Sequence, residues 1–262
     1  ADAVGHALAG GDHEHAADLV ELALADLRRR RQDRVLRGWL VALPGEVVRR
    51  RPLLATYMGW SRLSEGDIDG VEAWLDDAEA GLGTAPATVP TPGALADAAR
   101  DREDELRSLP ALIAVYRASI AQARGDVAGT VSHARRGLAL AGPADHFPRG
   151  AAAGFVGLAA WAGGDLVTAV DTFSTAVTAL HEAGMVTDEL GATVVLADMW
   201  RSRGRPDEAR RLHERALAAA EGRGGPTLGT IGDLHVGLAD ALREQGDLDA
   251  AAEHLDVARG LG

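Results

Sequence analysis

The chain has 262 residues, with 39 acidic against 27 basic side chains, a formal charge of −12 and no cysteine. That composition excludes a disulfide framework, a thiolate metal site and a cysteine nucleophile. It also argues against nucleic-acid binding, which needs a basic face to neutralise phosphates. Every basic residue is arginine, and without lysine no Gly-x4-Gly-Lys-Ser/Thr phosphate loop can be written, so that kind of ATPase site is excluded here.

Taken in chain order, a short helix ending at Gly10-Gly11 precedes a longer one over Ala16 to Arg30, where Leu19, Val20, Leu22, Ala23 and Leu27 recur with helical spacing. The arginines from Arg28 to Arg31, with Arg34, Arg37 and the triplet Arg49 to Arg51, read as solvated helix surface. Pro44-Gly45 breaks the chain, and Pro52 fits the first turn of a helix running to Glu65, followed by a partner over Asp69 to Ala80. Gly81 to Gly93, with Pro86, Pro90 and Pro92 among glycine, alanine and threonine, reads as an exposed loop. A charged helical segment, Ala94 to Leu106, leads into helices at about 110–124, 127–141, 148–163, 166–183, 187–203, 206–221, 227–245 and 248–259. No strand pattern competes. No segment nears the roughly 18 apolar residues of a membrane span, and no export leader is visible, so a cytoplasmic, membrane-free location is expected.

The helices follow a repeat. Asp12, Asp67, Asp126, Asp165, Arg205 and Asp247 each follow a glycine, with small residues four and eleven positions on: Ala16/Ala23, Val71/Ala78, Thr130/Gly137, Ala169/Ala176, Ala209/Ala216 and Ala251/Ala258. Seven before the turn glycine stand Gly59, Ala118, Gly157, Ala197 and Ala239, each small enough to let a second helix approach. The last four anchors are 39, 40 and 42 residues apart, against roughly 34 in a standard tetratricopeptide unit. The expectation is an all-α, right-handed α-α superhelix, a TPR-like solenoid of about six helix-turn-helix repeats, in one domain over 1–262. Within it, 1–80 holds the N-terminal helix pairs, 81–106 the Pro/Gly-rich loop and connecting segment, and 107–262 the regular repeats. The chain ends after a second helix with no polar cap and begins without methionine, so a fragment of a longer protein is expected, with self-association through the uncapped C-terminal face allowed.

Catalytic motifs are lacking. His13-Glu14-His15 has ligands only two apart beside a turn, and reads as surface histidine. Asp67-x-Asp69-Gly70 opens like a calcium loop but has Ala78 at the twelfth position. Gly222-Arg-Gly224-Gly225 follows no strand. No catalytic residue, metal site or cofactor is expected, and the chain is expected not to be an enzyme.

A binding surface would be the concave wall, formed by the first helix of each repeat. Counting back from the turn glycines places Trp60, Ser119, Leu158, Asp198 and Asp240 there, then Leu63, Gln122, Trp161, Arg201 and Arg243, and further back Thr56, Val115, Gly154, Val194 and Val236. Of these, Trp60, Ser119, Gln122, Trp161, Asp198, Arg201, Asp240 and Arg243 are the candidate ligand-binding set. The tryptophans would stack on a sugar or aromatic group while the charged residues bond its hydroxyls. The competing reading is that the tryptophans pack and the Asp/Arg pairs are intrahelical ion pairs at i,i+3. Trp39, Trp74 and Trp200 read as core, and His235 as packing between repeats.

The run Ala3-Val-Gly-His6 to Ala16-Ala17, then Gly38-Trp39-Leu40-Val-Ala-Leu43-Pro44 and Arg51-Pro52-Leu53-Leu54, resembles the region after the ATPase module in large LuxR-type, MalT-like transcriptional regulators. Arg124-Gly125-Asp126, Ala162-Gly163-Gly164-Asp165, Ala183-Gly184-Met185 and Gln245-Gly246-Asp247 agree with it. The resemblance implies a superhelical sensor between an N-terminal P-loop ATPase, where ATP would bind, and a C-terminal DNA-binding helix-turn-helix. Neither flanking module lies in this chain. It further implies a small-molecule inducer, a sugar in some members, and the ATPase module as partner. The alternative is a TPR-like scaffold that binds a peptide or protein partner along the same groove.

Overall fold

The computed structural model of the protein describes residues 2–30, 32–83, 96–221 and 228–261. The body of the predicted loop, from residue 84 to Gly93, and the glycine cluster at Gly222 to Gly225 lie outside the described residues. Fourteen helices and no strand are present among the described residues: α1 (Asp2–Ala9), α2 (His13–Arg29), α3 (Asp33–Ala42), α4 (Gly45–Arg49), α5 (Pro52–Ser64), α6 (Val71–Gly81), α7 (Ala96–Ala123), α8 (Val127–Leu140), α9 (His146–Ala162), α10 (Leu166–Glu182), α11 (Val186–Ser202), α12 (Pro206–Glu221), α13 (Leu228–Glu244) and α14 (Leu248–Leu261). The protein is an all-α, TPR-like solenoid. No described helix is long and apolar enough to cross a membrane.

Turn chemistry sets the repeat. Gly11, Gly66, Gly125, Gly164, Gly204 and Gly246, the residues before the six anchors, all adopt positive φ, between 74° and 84°. A side chain resists that conformation, and glycine meets it freely. In each case the anchor's N–H donates back to a carbonyl five residues earlier, as from Asp165 to Ala160 (2.9 Å) and from Asp247 to Leu242 (3.0 Å), closing the preceding helix. The anchor then starts the next one: the carboxylates of Asp12 and Asp165 accept from the backbone N–H of His15 and Thr168, both at 3.1 Å. Gly184 (φ 68°) makes a seventh such turn without an aspartate after it.

The small positions are buried as their spacing predicts. Ala16, Val71, Thr130, Ala169, Ala209 and Ala251 are all at most 6 % exposed, and Gly59 and Gly157 lie in buried helix contacts. A Cβ at Gly157 would stand 2.9 Å from Phe173 Cδ2 and 3.3 Å from the Ala169 carbonyl oxygen, so α9 and α10 touch backbone to side chain. Gly157→Ala is expected to cost about 1–3 kcal/mol by overpacking. Gly164→Ala, with nothing within 4 Å but φ at +80°, should lose about 1 kcal/mol from backbone strain alone. Urea midpoints for the two variants would separate them, and equal small losses would show that the α9–α10 contact is slack.

The chain divides into two compact units, 1–126 with 139–142 and 127–138 with 143–262. In the first, α2 lies against α7, and α5 against α6 and α7. In the second, each helix from α9 to α14 packs on its neighbour in sequence, and α11 also meets α13. Phe173, Val170, Leu196 and Met199 centre one core, with Leu158, Trp161, Trp200 and Leu212 against it.

Three expectations need correction. The charged segment, from Ala96 on, and the helix expected at about 110–124 form one helix of 28 residues, α7, passing through Pro110. Proline removes a single helical bond there, while Leu109, Ala111, Leu112 and Ile113 are each no more than 2 % exposed, and that packing holds the helix together. On either side of the Pro44 break the chain is also helical, as α3 and α4. The arginine runs are not all solvated surface. Arg28 pairs with Glu105 at 2.9 Å with 21 % of its side chain exposed, Arg51 is 16 % exposed among three carboxylates, and Arg49 lies 4.0 Å from the ring centre of Trp74. Arg30 and Arg50 do stay exposed. Of the three tryptophans read as core, Trp74 is buried, while Trp39 and Trp200 are half-buried.

Candidate functional site

Trp161 near the end of α9, Asp198, Arg201 and Ser202 on α11, and Glu244 at the end of α13 line a cavity of about 370 Å³ in the second unit. Each faces it for a local reason. The i,i+3 spacing puts Asp198 and Arg201 on one helical face, where Arg201 Nη1 donates to Asp198 Oδ1 at 3.0 Å. The same guanidinium reaches across to α13, donating to Asp240 Oδ2 at 3.4 Å and, through Nη2 and Nε, to Glu244 Oε1 at 2.6 and 3.1 Å. The forked guanidinium, with five donors, holds three carboxylates from two helices at once. Its hydrogen bond to Glu244 leads the effects that raise the Arg201 pKa. Trp161 donates its indole N–H to Ser202 Oγ at 3.2 Å, and Ser202 Oγ donates to the Asp198 carbonyl at 2.9 Å. One part of the indole packs on the Phe173–Met199 core, so the ring is fixed in orientation while still facing the cavity.

The predicted set is therefore partly assembled. Trp161, Asp198 and Arg201 line the cavity, Asp240 joins them through Arg201, and Arg243 follows at 3.5 Å from Asp240 with 59 % of its side chain exposed. Trp161 packs on the core and Asp198 bonds Arg201 within one helix, while all three also wall the same space. Trp60, Ser119 and Gln122 belong to the first unit and are not among the residues lining this cavity. Thr56 and Val115, also counted toward the wall, are buried at 0 % and 3 % exposure, because the positions ten before the glycine turn toward the packed side of α5 and α7. His235 stacks on His254 of α14, ring centres 5.1 Å apart, so it packs between the two helices of one pair.

Two lining residues, Ser202 and Glu244, lie outside the counted set, and Ser202 carries no spacing signal beyond its place beside Arg201. On α12, His213 is fully buried, with neither ring nitrogen hydrogen-bonded. A Cβ on Gly237 of α13 would collide with this ring. Burial, reinforced by the charge of Arg201 and opposed by Asp240, lowers its pKa to about 4, so the imidazole is neutral at pH 7. A signal existed: eight residues after the anchors, the other buried positions are Val20, Leu75, Ala134 and Phe173. His213 occupies an apolar slot.

Among the described residues no group of three or more His, Asp or Glu side chains could hold a metal ion. The arrangement offers hydrogen-bond acceptors, one shared cation and an aromatic wall.

Helix pairs closed by left-handed glycines, with a polar cavity among first helices, define a helical-repeat domain of the interaction and sensing class. The MalT-like TPR region family matches residues 111–262, more than half of the chain, and the protein belongs to that family. Among solved structures it is similar to BtubC (BKLC) from P. vanneervenii, at 16 % identity and TM-score 0.62 over 92 % of this chain and 89 % of that one. It is also similar to a putative kinesin light chain with nearly identical TPR-like repeats from Podosopora anserina, at 18 % identity and TM-score 0.55 over 80 % and 96 %. A third is aspartyl phosphate phosphatase F from Bacillus subtilis, at 10 % identity and TM-score 0.55 over 94 % and 71 %. These likenesses concern the fold alone. No curated protein matches the chain.

Proposed function

We propose that the chain is the cytoplasmic, non-catalytic signal-sensing domain of a LuxR-type, ATP-dependent transcriptional regulator, and that the Trp161–Arg201 cavity binds its small-molecule inducer. The observation that carries this reading is the cavity itself. It lies inside the part matched by the MalT-like family, and sets an oriented indole beside carboxylates whose remaining oxygens accept hydrogen bonds. A polar, uncharged ligand rich in hydroxyls, such as a sugar, suits those walls. The volume falls within the roughly 300–1,000 Å³ of ordinary ligand sites. Binding would regulate the parent by favouring one packing of this domain on the ATPase module, and the shift is limited by the ligand's differential affinity for the two states. The confinement of the charged walls to α11 and α13 favours a local ligand over an extended peptide.

A thermal-shift screen against sugars, oligosaccharides and small metabolites tests the proposal. A ligand at 100 times its Kd stabilises by about 2.7 kcal/mol, and Trp161→Ala and Arg201→Met should each abolish that shift while the unliganded variants still melt cooperatively. Absence of any shift across the screen, or a shift that survives Trp161→Ala, would sink the inducer reading in favour of a partner-binding scaffold.

A further inference from the structure

We propose that the first unit carries a second, independent ligand site that binds a free aliphatic α-amino acid, in a cavity of about 230 Å³ lined by Glu14 and Glu21 of α2, Arg50 after α4, Arg51 and Pro52 at the start of α5, and Arg102 and Leu106 of α7. The volume lies below the roughly 300 Å³ at which drug-sized sites begin, so the occupant is small.

Charge sets its class. Glu14, Asp18 and Glu21 face Arg50, Arg51 and Arg102 in one network, three of each sign. A ligand with net charge would unbalance it, whereas a zwitterion would not. Both poles have places. Glu21 has 2 % of its side chain exposed, and Arg102 approaches through Nε (2.7 Å) and Nη2 (2.6 Å), with Arg51 Nη1 at 3.7 Å, all on Oε2. Among the described residues no donor is assigned to Oε1. That oxygen keeps its capacity to accept a hydrogen bond, and burial raises the Glu21 pKa against the pull of Arg102 and Arg51.

Pro110 adds a second acceptor. It has no N–H for the helical carbonyl four residues earlier, which is that of Leu106, a wall residue. An ammonium group would answer both. For the carboxylate end, Arg50 commits Nη2 to Glu14 and Nε to the Glu46 carbonyl, and Arg102 commits Nε and Nη2 to Glu21. Each keeps Nη1. The start of α5 lies beside them, with no side-chain cap from Arg51, and the positive end of a helix favours an anion. Pro52 and Leu106 leave apolar wall for the side chain.

Calorimetric titration of the 262-residue protein with L-leucine, L-isoleucine, L-valine and L-methionine is the test. At least one should bind saturably at one site per chain. Its N-acetyl and C-amide derivatives, each lacking one charge, should bind at least about tenfold more weakly, a loss of roughly 1.4 kcal/mol or more. Arg50→Gln, at a side chain 67 % exposed and so harmless to folding, should weaken binding by about the same factor. Glu21→Gln should abolish it, with circular dichroism reporting whether that variant folds. Trp161→Ala should leave the affinity unchanged, which separates this site from the inducer cavity. The proposal is overturned if none of the four amino acids saturates, if the N-acetyl or amide form binds equally, or if Arg50→Gln retains full affinity.

Discussion

Lowering the pH from 7 to 4 is expected to remove about 3 kcal/mol of stability through one side chain, His213. Its pKa is about 4 when folded against 6.5 when free, and each unit of difference is worth about 1.36 kcal/mol. The sign follows from proton counting. Between pH 6.5 and 4 the unfolded chain binds a proton that the folded chain refuses, so stability falls as the pH drops through that window and is unaffected by this group above it. The cause is structural: a fully buried ring with no hydrogen-bond partner, wedged against Gly237, cannot accept charge beside Arg201. His213→Leu should therefore flatten the pH dependence of urea stability between 6.5 and 4.5. Parallel curves for variant and parent would refute the assignment.

The second large effect is expected at Arg28. Its Nη1 donates to both oxygens of Glu105, at 2.9 and 3.1 Å, and the hydroxyl of buried Tyr57 donates to the same carboxylate at 2.8 Å, so α2, α5 and α7 meet at one carboxylate. Burial raises the Tyr57 pKa and keeps it a neutral donor. Arg28→Met would leave Glu105, 15 % exposed, facing one hydroxyl where it had a forked cation. Breaking a buried pair from one side costs about 3–5 kcal/mol, and the residual exposure places this case near 3. The double variant Arg28→Met, Glu105→Leu should recover at least half of the loss, because no orphaned charge remains. If the double variant is no more stable than the single one, the loss is one of packing and not of charge.

Both effects sit where the sequence was hardest to read. The turns were legible because glycine, an anchor and two small residues recur with fixed spacing, and each feature has a local cause in backbone conformation or close helix approach. The Trp161, Asp198, Arg201 and Asp240 cluster was legible for the same reason: counting from the turn fixes which residues share a face. Glu21, Arg51 and Arg102 were not. Arg102 is 81 residues from Glu21 in a segment outside the repeat register, and its arrival depends on α7 running unbroken through Pro110, which local propensity opposes. His213 hid because a lone polar residue on an amphipathic helix looks solvent-facing until it is aligned with Val20, Leu75 and Phe173.

The glycine turns have a kinetic consequence. Apart from the six-residue connection at Gly66, each joins its helices across three residues, and in the second unit every helix from α9 onward finds its first partner in the adjacent segment of chain. Closing such short loops carries little entropy, and chains dominated by local contacts fold in microseconds to milliseconds. Helix pairs can therefore form one after another as the polypeptide leaves the ribosome, each new pair adding to a surface its predecessor has already built.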